Sequence, residues 1–169
     1  MNEIDLTVAK GAIFSNDRMY RYALWRVWNQ QHPMLMLIGL NPSKAGEINN
    51  DPTITRSIRR ANEAGFGGLL MANLYAFVST DPEILYRGQG NFVGDLNDYY
   101  IRQMIAMSGR QLCGWGSFPA VIQRVPIVLA MIKEPYCLGV NADGQPKHPL
   151  YISYKTPMIR YAKEVHSND

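Results

Sequence analysis

The spacing of apolar positions changes several times along this chain, and each change marks an element. Tyr20-Arg21-Tyr22-Ala23-Leu24-Trp25-Arg26-Val27-Trp28 alternates apolar and polar positions, the period of a half-buried strand. A short turn at Gln31-His32-Pro33 separates it from the unbroken run Met34-Leu35-Met36-Leu37-Ile38. Together they predict an early strand hairpin, with a helix over the first segment as the alternative. The second run is closed by Gly39 and Pro42, the pattern of a strand covered on both faces.

Asp51-Pro52-Thr53 opens a helix in which Ile54, Ile58, Ala61 and Ala64 or Gly65 share one face, with Gly65 as its stop. Leu69-Leu70-Met71-Ala72-Asn73-Leu74 is the next apolar strand. Thr80-Asp81-Pro82-Glu83 opens a short helix, and the loop Arg87-Gly88-Gln89-Gly90-Asn91 leads to a longer helix near residues 95–107. Gln111-Leu112-Cys113-Gly114-Trp115-Gly116 reads as a third strand of this series, residues 119–132 as a helix and Tyr136-Cys137-Leu138-Gly139 as a fourth strand.

Strands alternating with helices predict an α/β fold whose sheet is mainly parallel and covered on both faces. Ligands of such sheets bind beyond the carboxyl ends of the strands. The loops that follow the predicted strands bring Asn41, Asn73, Gly116 and His148 to one rim. No repeat, low-complexity tract or linker divides the chain, so residues 1–169 are expected to form one domain.

Composition narrows the function classes. The chain has 169 residues, 47% hydrophobic and 18% charged, enough for a domain that buries roughly two-thirds of its unfolded surface. It carries no apolar stretch of about 18 residues to span a membrane, and Met1-Asn2-Glu3-Ile4-Asp5 does not resemble a signal peptide. A cytoplasmic protein is expected. Cys113 and Cys137 sit in apolar strand-like surroundings, as reduced core cysteines do, and the scattered histidines have no zinc spacing, so neither metal nor other cofactor is expected. The net charge of +3 is modest. However, Arg56, Arg59 and Arg60 fall on one side of the predicted helix with Lys44 in the loop above, either a patch that meets phosphates or a solvated helix face.

Four segments, taken in order, resemble the motifs of the uracil-DNA glycosylase superfamily. Gly39-Leu40-Asn41-Pro42-Ser43 is similar to the loop after the first strand that positions the attacking water. Leu69-Leu70-Met71-Ala72-Asn73 resembles the strand ending in the Asn that reads the base edge. Trp115-Gly116-Ser117-Phe118 is similar to a Trp-Gly strand end, and Lys147-His148-Pro149-Leu150-Tyr151 resembles the His-Pro loop that enters the minor groove. The chain is more closely similar to small bacterial and phage proteins that share Leu-Asn-Pro-Ser, Asp-Pro-Thr, Trp-Gly and His-Pro-Leu-Tyr elements.

The resemblance implies a three-layer α/β/α sandwich around a mainly parallel sheet of about four strands, with an extra N-terminal hairpin. It implies a metal-independent monofunctional DNA glycosylase whose partner is DNA, without a membrane or an obligate protein partner. Asn41 would position water, Asn73 would read the base, and Gly39, Pro42 and Ser43 would complete the base pocket. In uracil-specific members a Tyr follows the Asp-Pro and excludes bulky C5 groups. Here Ser43 stands in its place and Asn41 replaces their Asp, which implies a wider pocket and a substituted pyrimidine, such as the hydroxymethylated or glucosylated cytosine of phage DNA, in antiviral defence. Lys44, Arg56, Arg59, Arg60 and Lys147 would contact DNA, and Leu150 or Tyr151 would replace the extruded base or else pack in the core.

The chemistry sets its own demands. Cleavage of an N-glycosidic bond passes through an oxocarbenium-like sugar, so a site needs oriented water, hydrogen bonds to the departing base and nearby negative charge. Asn41 can orient water, but its amide is no general base. His148 can donate to a carbonyl oxygen where charge develops, or it orders its loop. Asn73 both donates and accepts, as a reader of a pyrimidine edge must, or it caps a turn. Asp51 supplies negative charge near the sugar or assists water, or it is a simple helix cap. No Lys stands where a Schiff base would need one, so strand cleavage is not expected.

Trp115 is the tryptophan nearest the predicted site, though strand-end tryptophans more often belong to a core. Tyr20, Tyr22, Trp25 and Trp28 read as core or as an oligomer surface. Two other readings stay open: a non-catalytic nucleotide or nucleic-acid binding module on the same sheet, and a nucleoside hydrolase, which would need no basic patch.

Overall fold

A computed structural model describes residues 1–44 and 48–161. The elements run β1 (Lys10–Phe14), β2 (Arg21–Val27), β3 (Met34–Gly39), α1 (Pro52–Glu63), β4 (Gly68–Asn73), α2 (Ile84–Arg87), α3 (Asn97–Met107), β5 (Ser108–Cys113), α4 (Val121–Leu129), β6 (Pro135–Cys137) and β7 (Ile159–Arg160). They build a mixed α/β fold on a seven-stranded sheet in the order β1-β2-β4-β3-β5-β6-β7. The four strands β4, β3, β5 and β6 are mutually parallel. The pairings β1 to β2, β2 to β4 and β6 to β7 are antiparallel.

The predicted hairpin between residues 20–28 and 34–39 does not form. β2 pairs with β1 on one edge and β4 on the other, and β4 lies between β2 and β3. Two glycines at the start of β4 make this insertion sterically accessible. A Cβ on Gly67 would lie 1.8 Å from the Asn29 carbonyl, and one on Gly68 would lie 2.4 Å from Met34 Sδ and 2.7 Å from the Arg26 carbonyl. Backbone N–H groups of Trp28 and Asn29 both donate to the Gly67 carbonyl, at 3.0 and 2.9 Å. The turn that was expected to close a hairpin therefore clasps the entry of a third strand. All seven β2 residues are buried, which accounts for its aromatic content: Tyr22 and Trp25 are core, whereas Trp28 just beyond the strand is 38% exposed.

Side chains of β3 alternate between two cores, as the pleat requires. Leu35 and Leu37 pack with Leu24, Leu69, Leu112 and the α1 residues Ile54 and Ala61. Met34, Met36 and Ile38 pack with Leu70, Ala72, the α3 residues Tyr100, Ile101 and Met104, and the α4 residues Val121, Val125 and Val128. The sheet is thus covered by α1 on one face and by α3 and α4 on the other. Cys113 and Cys137 are buried thiols, not joined by a disulfide, in the second of these cores. Among the described residues no helix is long and apolar enough to cross a membrane.

α1 starts where the sequence places it. Asp51 caps it by accepting the Ile54 N–H at 2.8 Å, and Gly65 follows its end with φ +84°, the left-handed conformation that helix ends favour. The chain leaves β3 through α1 toward β4 and leaves β5 through α4 toward β6, on opposite faces. A crevice opens at the carboxyl ends of strands where connections diverge in this way.

Candidate active site at the carboxyl ends of the parallel strands

A pocket of about 290 Å³ occupies that crevice. Gly39, Asn41 and Ser43 line it from the segment after β3, Asp51 from the start of α1, Asn73 from the end of β4, Trp115 and Phe118 from the segment after β5, and His148 from a later loop. Of the residues expected at the site, Gly39, Asn41, Ser43, Asp51, Asn73 and His148 meet here. Pro42 is buried outside the pocket lining, where its carbonyl accepts the Ser79 N–H at 3.0 Å.

Asn73 is 2% exposed, and its Oδ1 makes no hydrogen bond within the described residues. The turn-capping alternative for Asn73 is therefore not what the side chain does. A buried amide oxygen without a partner costs roughly 1–3 kcal/mol, and in a pocket-lining residue a ligand's donor would offset that cost. Gly39, directly opposite in the β3–β4 register, makes room for it: a Cβ there would stand 2.8 Å from Asn73 Oδ1.

Asn41 faces the other way in its bonding. Its Nδ2 donates to the Ser79 carbonyl at 2.9 Å and lies 3.3 Å from the Pro42 carbonyl. That commitment sews the loop after β4 to the loop after β3 and leaves Oδ1 as the group Asn41 offers to the pocket. Asp51 has both oxygens engaged, Oδ1 by the Ile54 N–H and Oδ2 by the Ser43 hydroxyl at 2.6 Å. Cap and pocket carboxylate are one residue, so the two readings of Asp51 coexist. Beneath them Arg21, buried in β2, is pushed down to about 10 by burial, with the Asp51 carboxylate acting against that shift.

His148 reaches the pocket because its loop is docked on the sheet ends: Gly116 N–H donates to the Pro146 carbonyl at 3.1 Å and Lys147 N–H to the Gly139 carbonyl at 2.9 Å. Its Nδ1 accepts the Leu150 N–H at 3.2 Å. An imidazole that accepts at Nδ1 carries its proton on Nε2 when neutral. Burial holds its pKa below the ordinary histidine value, and the Asp51 carboxylate opposes that shift. The neutral ring is therefore a donor through Nε2, and it orders its own loop through Nδ1.

The expected basic patch is arranged differently. Arg60 is 4% exposed and donates to the carbonyls of Ile152 and Ser153 at 2.9 and 3.0 Å. Arg56 donates to the same Ile152 carbonyl at 2.9 Å, and Arg59 is paired with Glu63 at 2.7 Å. All three guanidinium groups lie over the Tyr154 ring, at 4.4, 4.1 and 5.6 Å for Arg56, Arg59 and Arg60. They fasten the loop after His148 to α1. Lys44 and Lys147 are exposed. Leu150 is half-buried and Tyr151 is 83% exposed, so of the two wedge candidates only Tyr151 projects from the surface.

Trp115 and Phe118, expected near the site as part of the Trp-Gly segment, reach it, whereas Asn97 and Arg124 carried no sequence signal. Trp115 is fully buried, lines the pocket and donates from Nε1 to Gln145 Oε1 at 2.8 Å. Phe118 beside it is a pocket wall. Behind Asn73, the buried Asn97 donates from Nδ2 to the carbonyls of Asn73 and Leu74, both at 3.1 Å. Arg124 donates from Nε to the Leu74 carbonyl at 2.8 Å and forms an ion pair with Asp98. A polar residue at the start of a helix reads as an ordinary helix entry, and only the packed fold turns it inward. Among the described residues no three His, Cys, Asp or Glu side chains gather as a metal site would require.

A family model described as Protein of unknown function (DUF1643) matches residues 21–150. The chain belongs to that family. The matched span of this DUF1643 member runs from β2 to Leu150 and contains every residue that lines the pocket. No curated protein and no solved structure matches the chain.

Proposed function

We propose that this DUF1643 protein is a monofunctional DNA glycosylase related to the uracil-DNA glycosylase superfamily, which extrudes a modified pyrimidine and hydrolyses its N-glycosidic bond without a metal. The observation that carries the reading is the convergence of Asn41, Asp51, Asn73 and His148, from four separate segments, on one pocket at the strand ends.

Each residue has a role in that reaction. Asn73 offers an otherwise unpartnered amide to the base edge. Nε2–H of His148 donates to the pyrimidine carbonyl oxygen as the base departs with the bonding electron pair, where a fixed donor is worth about 2.7–4 kcal/mol. Asn41 Oδ1 orients the water that adds to the sugar carbon, and the Asp51 carboxylate, fixed by Ser43 and Ile54, stabilises positive charge on the sugar. The water's hydroxyl ends on the sugar and its proton on the released base, leaving an abasic site.

The small side chain of Ser43 is turned onto Asp51, and the pocket continues into a second chamber of about 710 Å³ that shares Thr53, Thr80, Pro82, Phe118 and His148 with it. That continuity favours a base with a bulky substituent, hydroxymethyl- or glucosyl-hydroxymethylcytosine, and with it a role in defence against phage. The test is mass spectrometry of bases released from unmodified DNA and from DNAs carrying each modification. Release from a modified DNA that His148→Ala abolishes is expected; no free base and no alkali-labile site on any substrate sinks the reading.

One observation favours a binding module instead: the Asp51 oxygens and the Asn41 nitrogen are already engaged, so neither side chain is an idle general base. Wild-type protein that binds modified DNA and releases nothing decides for that second reading.

A further inference from the structure

The second chamber has a composition of its own. Lys147 is the only Lys or Arg among the described residues that line either chamber, and the first chamber has none. Arg56 and Arg60 turn donors onto loop carbonyls, Arg59 pairs with Glu63, and none of the three lines either chamber. Aromatic surface, by contrast, is offered freely. Tyr151 is 83% exposed with its ring centroid 6.2 Å from that of His148, and Phe118 stands where the chambers join. Leu150, the apolar candidate for a wedge, is half-buried in the chamber wall with its N–H held by His148.

Extracting a base from a duplex requires an inserted wedge and phosphate clamps to offset a few kcal/mol of unstacking. A single strand needs neither: successive bases stack on aromatic side chains, each worth about 1–3 kcal/mol. We infer that this protein takes its target base from single-stranded DNA, with the neighbouring base stacked on Tyr151 in the second chamber and one phosphate against Lys147. The inference rests on the glycosylase reading for the identity of the strand, but it is measurable as binding alone. With so few cations at the site, affinity should fall by less than about tenfold between 50 and 200 mM salt, since each contacted phosphate contributes a slope of about −0.7 for a single strand.

The experiment uses fluorescence anisotropy of a labelled strand of about 12 nucleotides, within the span of common single-strand binding sites, carrying one central 5-hydroxymethylcytosine, alone and annealed to its complement. The full chain should bind the single strand at least about tenfold more tightly than the duplex. Tyr151→Ala should lose about tenfold, the value of one stacked base, while Tyr151→Phe keeps the affinity; thermal midpoints of both should match the wild type because the ring is exposed. Equal or tighter duplex binding, no binding to either form, or a Tyr151→Ala variant that binds like the wild type overturns the inference. Base release is scored in the same tubes. Its absence, with single-strand preference intact, counts against the glycosylase reading and leaves the strand preference standing.

Discussion

The floor of the pocket and the outer rim that holds its His148 loop from outside the pocket lining are both made of polar residues, yet they are built in opposite ways. On the floor, polar atoms are pinned on one side and left unpartnered or outward-facing on the other: Asn41 commits its nitrogen to Ser79 and offers its oxygen, Asn73 leaves Oδ1 without a partner, and His148 accepts at Nδ1 and donates through Nε2. On the rim, the guanidinium groups are turned onto the chain itself. Arg56 and Arg60 donate to backbone carbonyls and lie over Tyr154, with Arg56 Nε buried and unpartnered behind them. The difference lies in where the polar atoms point: Asn73 leaves its unpartnered oxygen at the pocket, whereas the arginines direct donors at the chain they hold in place.

The largest effect expected from breaking this contrast is at His148. His148→Ala should lower kcat for base release by about a hundredfold to a thousandfold, the range for removing one fixed donor to developing charge, with DNA affinity largely retained. Binding measured beside single-turnover base release checks it. The rim should respond oppositely. Arg60→Met leaves the Ser153 carbonyl without its donor and the Ile152 carbonyl with Arg56 alone and should cost about 1.5–3 kcal/mol of stability, the range for hydrogen bonds to a charged group, read as a lowered denaturant midpoint. Arg60→Lys should not restore it, because an ammonium lacks the second arm that donates to the Thr156 carbonyl and the planar face that lies over Tyr154. Unchanged stability with lost DNA binding would instead return Arg60 to the role of a phosphate contact.

These two regions were also unequally legible in the sequence. The floor could be read because its residues follow punctuated strands: Gly39 to Ser43 close the run 34–38, Asn73 ends an apolar run, and the capped helix after Asp51 forms where Asn50-Asp51-Pro52-Thr53 indicates. The four parallel strands were found for the same reason. The rim misled because periodicity assigns an arginine on a helix to water, and nothing local marks the carbonyls of Ile152 and Ser153 or the Tyr154 ring that meet it from far along the chain. The pairing of β2 with β4 was equally hidden, since it depends on Gly67 and Gly68 allowing backbone to enter where a hairpin turn was expected. Asn97 and Arg124, which hold the end of β4 from behind, read as ordinary helix residues.

A subtler break lies within the floor. Gly39→Ala places a methyl group 2.8 Å from Asn73 Oδ1, too close to stay, while its next neighbour, Met71 Cε, is at 3.5 Å. The amide can swing aside without moving backbone, so the thermal midpoint should stay near that of the wild type. Base release should fall about tenfold, or about 1.4 kcal/mol, with the loss in discrimination between bases as much as in rate. A variant that unfolds, or one that discriminates as before, would mean that Asn73 does not read the base from its present position.

The smallest effect concerns pH and tests whether Asp51 and His148 act together. Burial lowers the pKa of His148 below its ordinary value of about 6.5. The unfolded chain therefore takes up the proton first as pH falls, so the neutral ring's contribution to stability is present above that value and is lost as the pH drops through it toward the folded pKa. The same shift keeps Nδ1 unprotonated below the usual histidine range, and with it the Leu150 N–H bond that orients the ring, so the acid limb of base release should lie under that range. Asp51 opposes the shift. Asp51→Asn, which retains a cap-forming side chain, should move the acid limb further down. A limb that stays where it was would separate the carboxylate from the imidazole and leave Asp51 as the cap of α1.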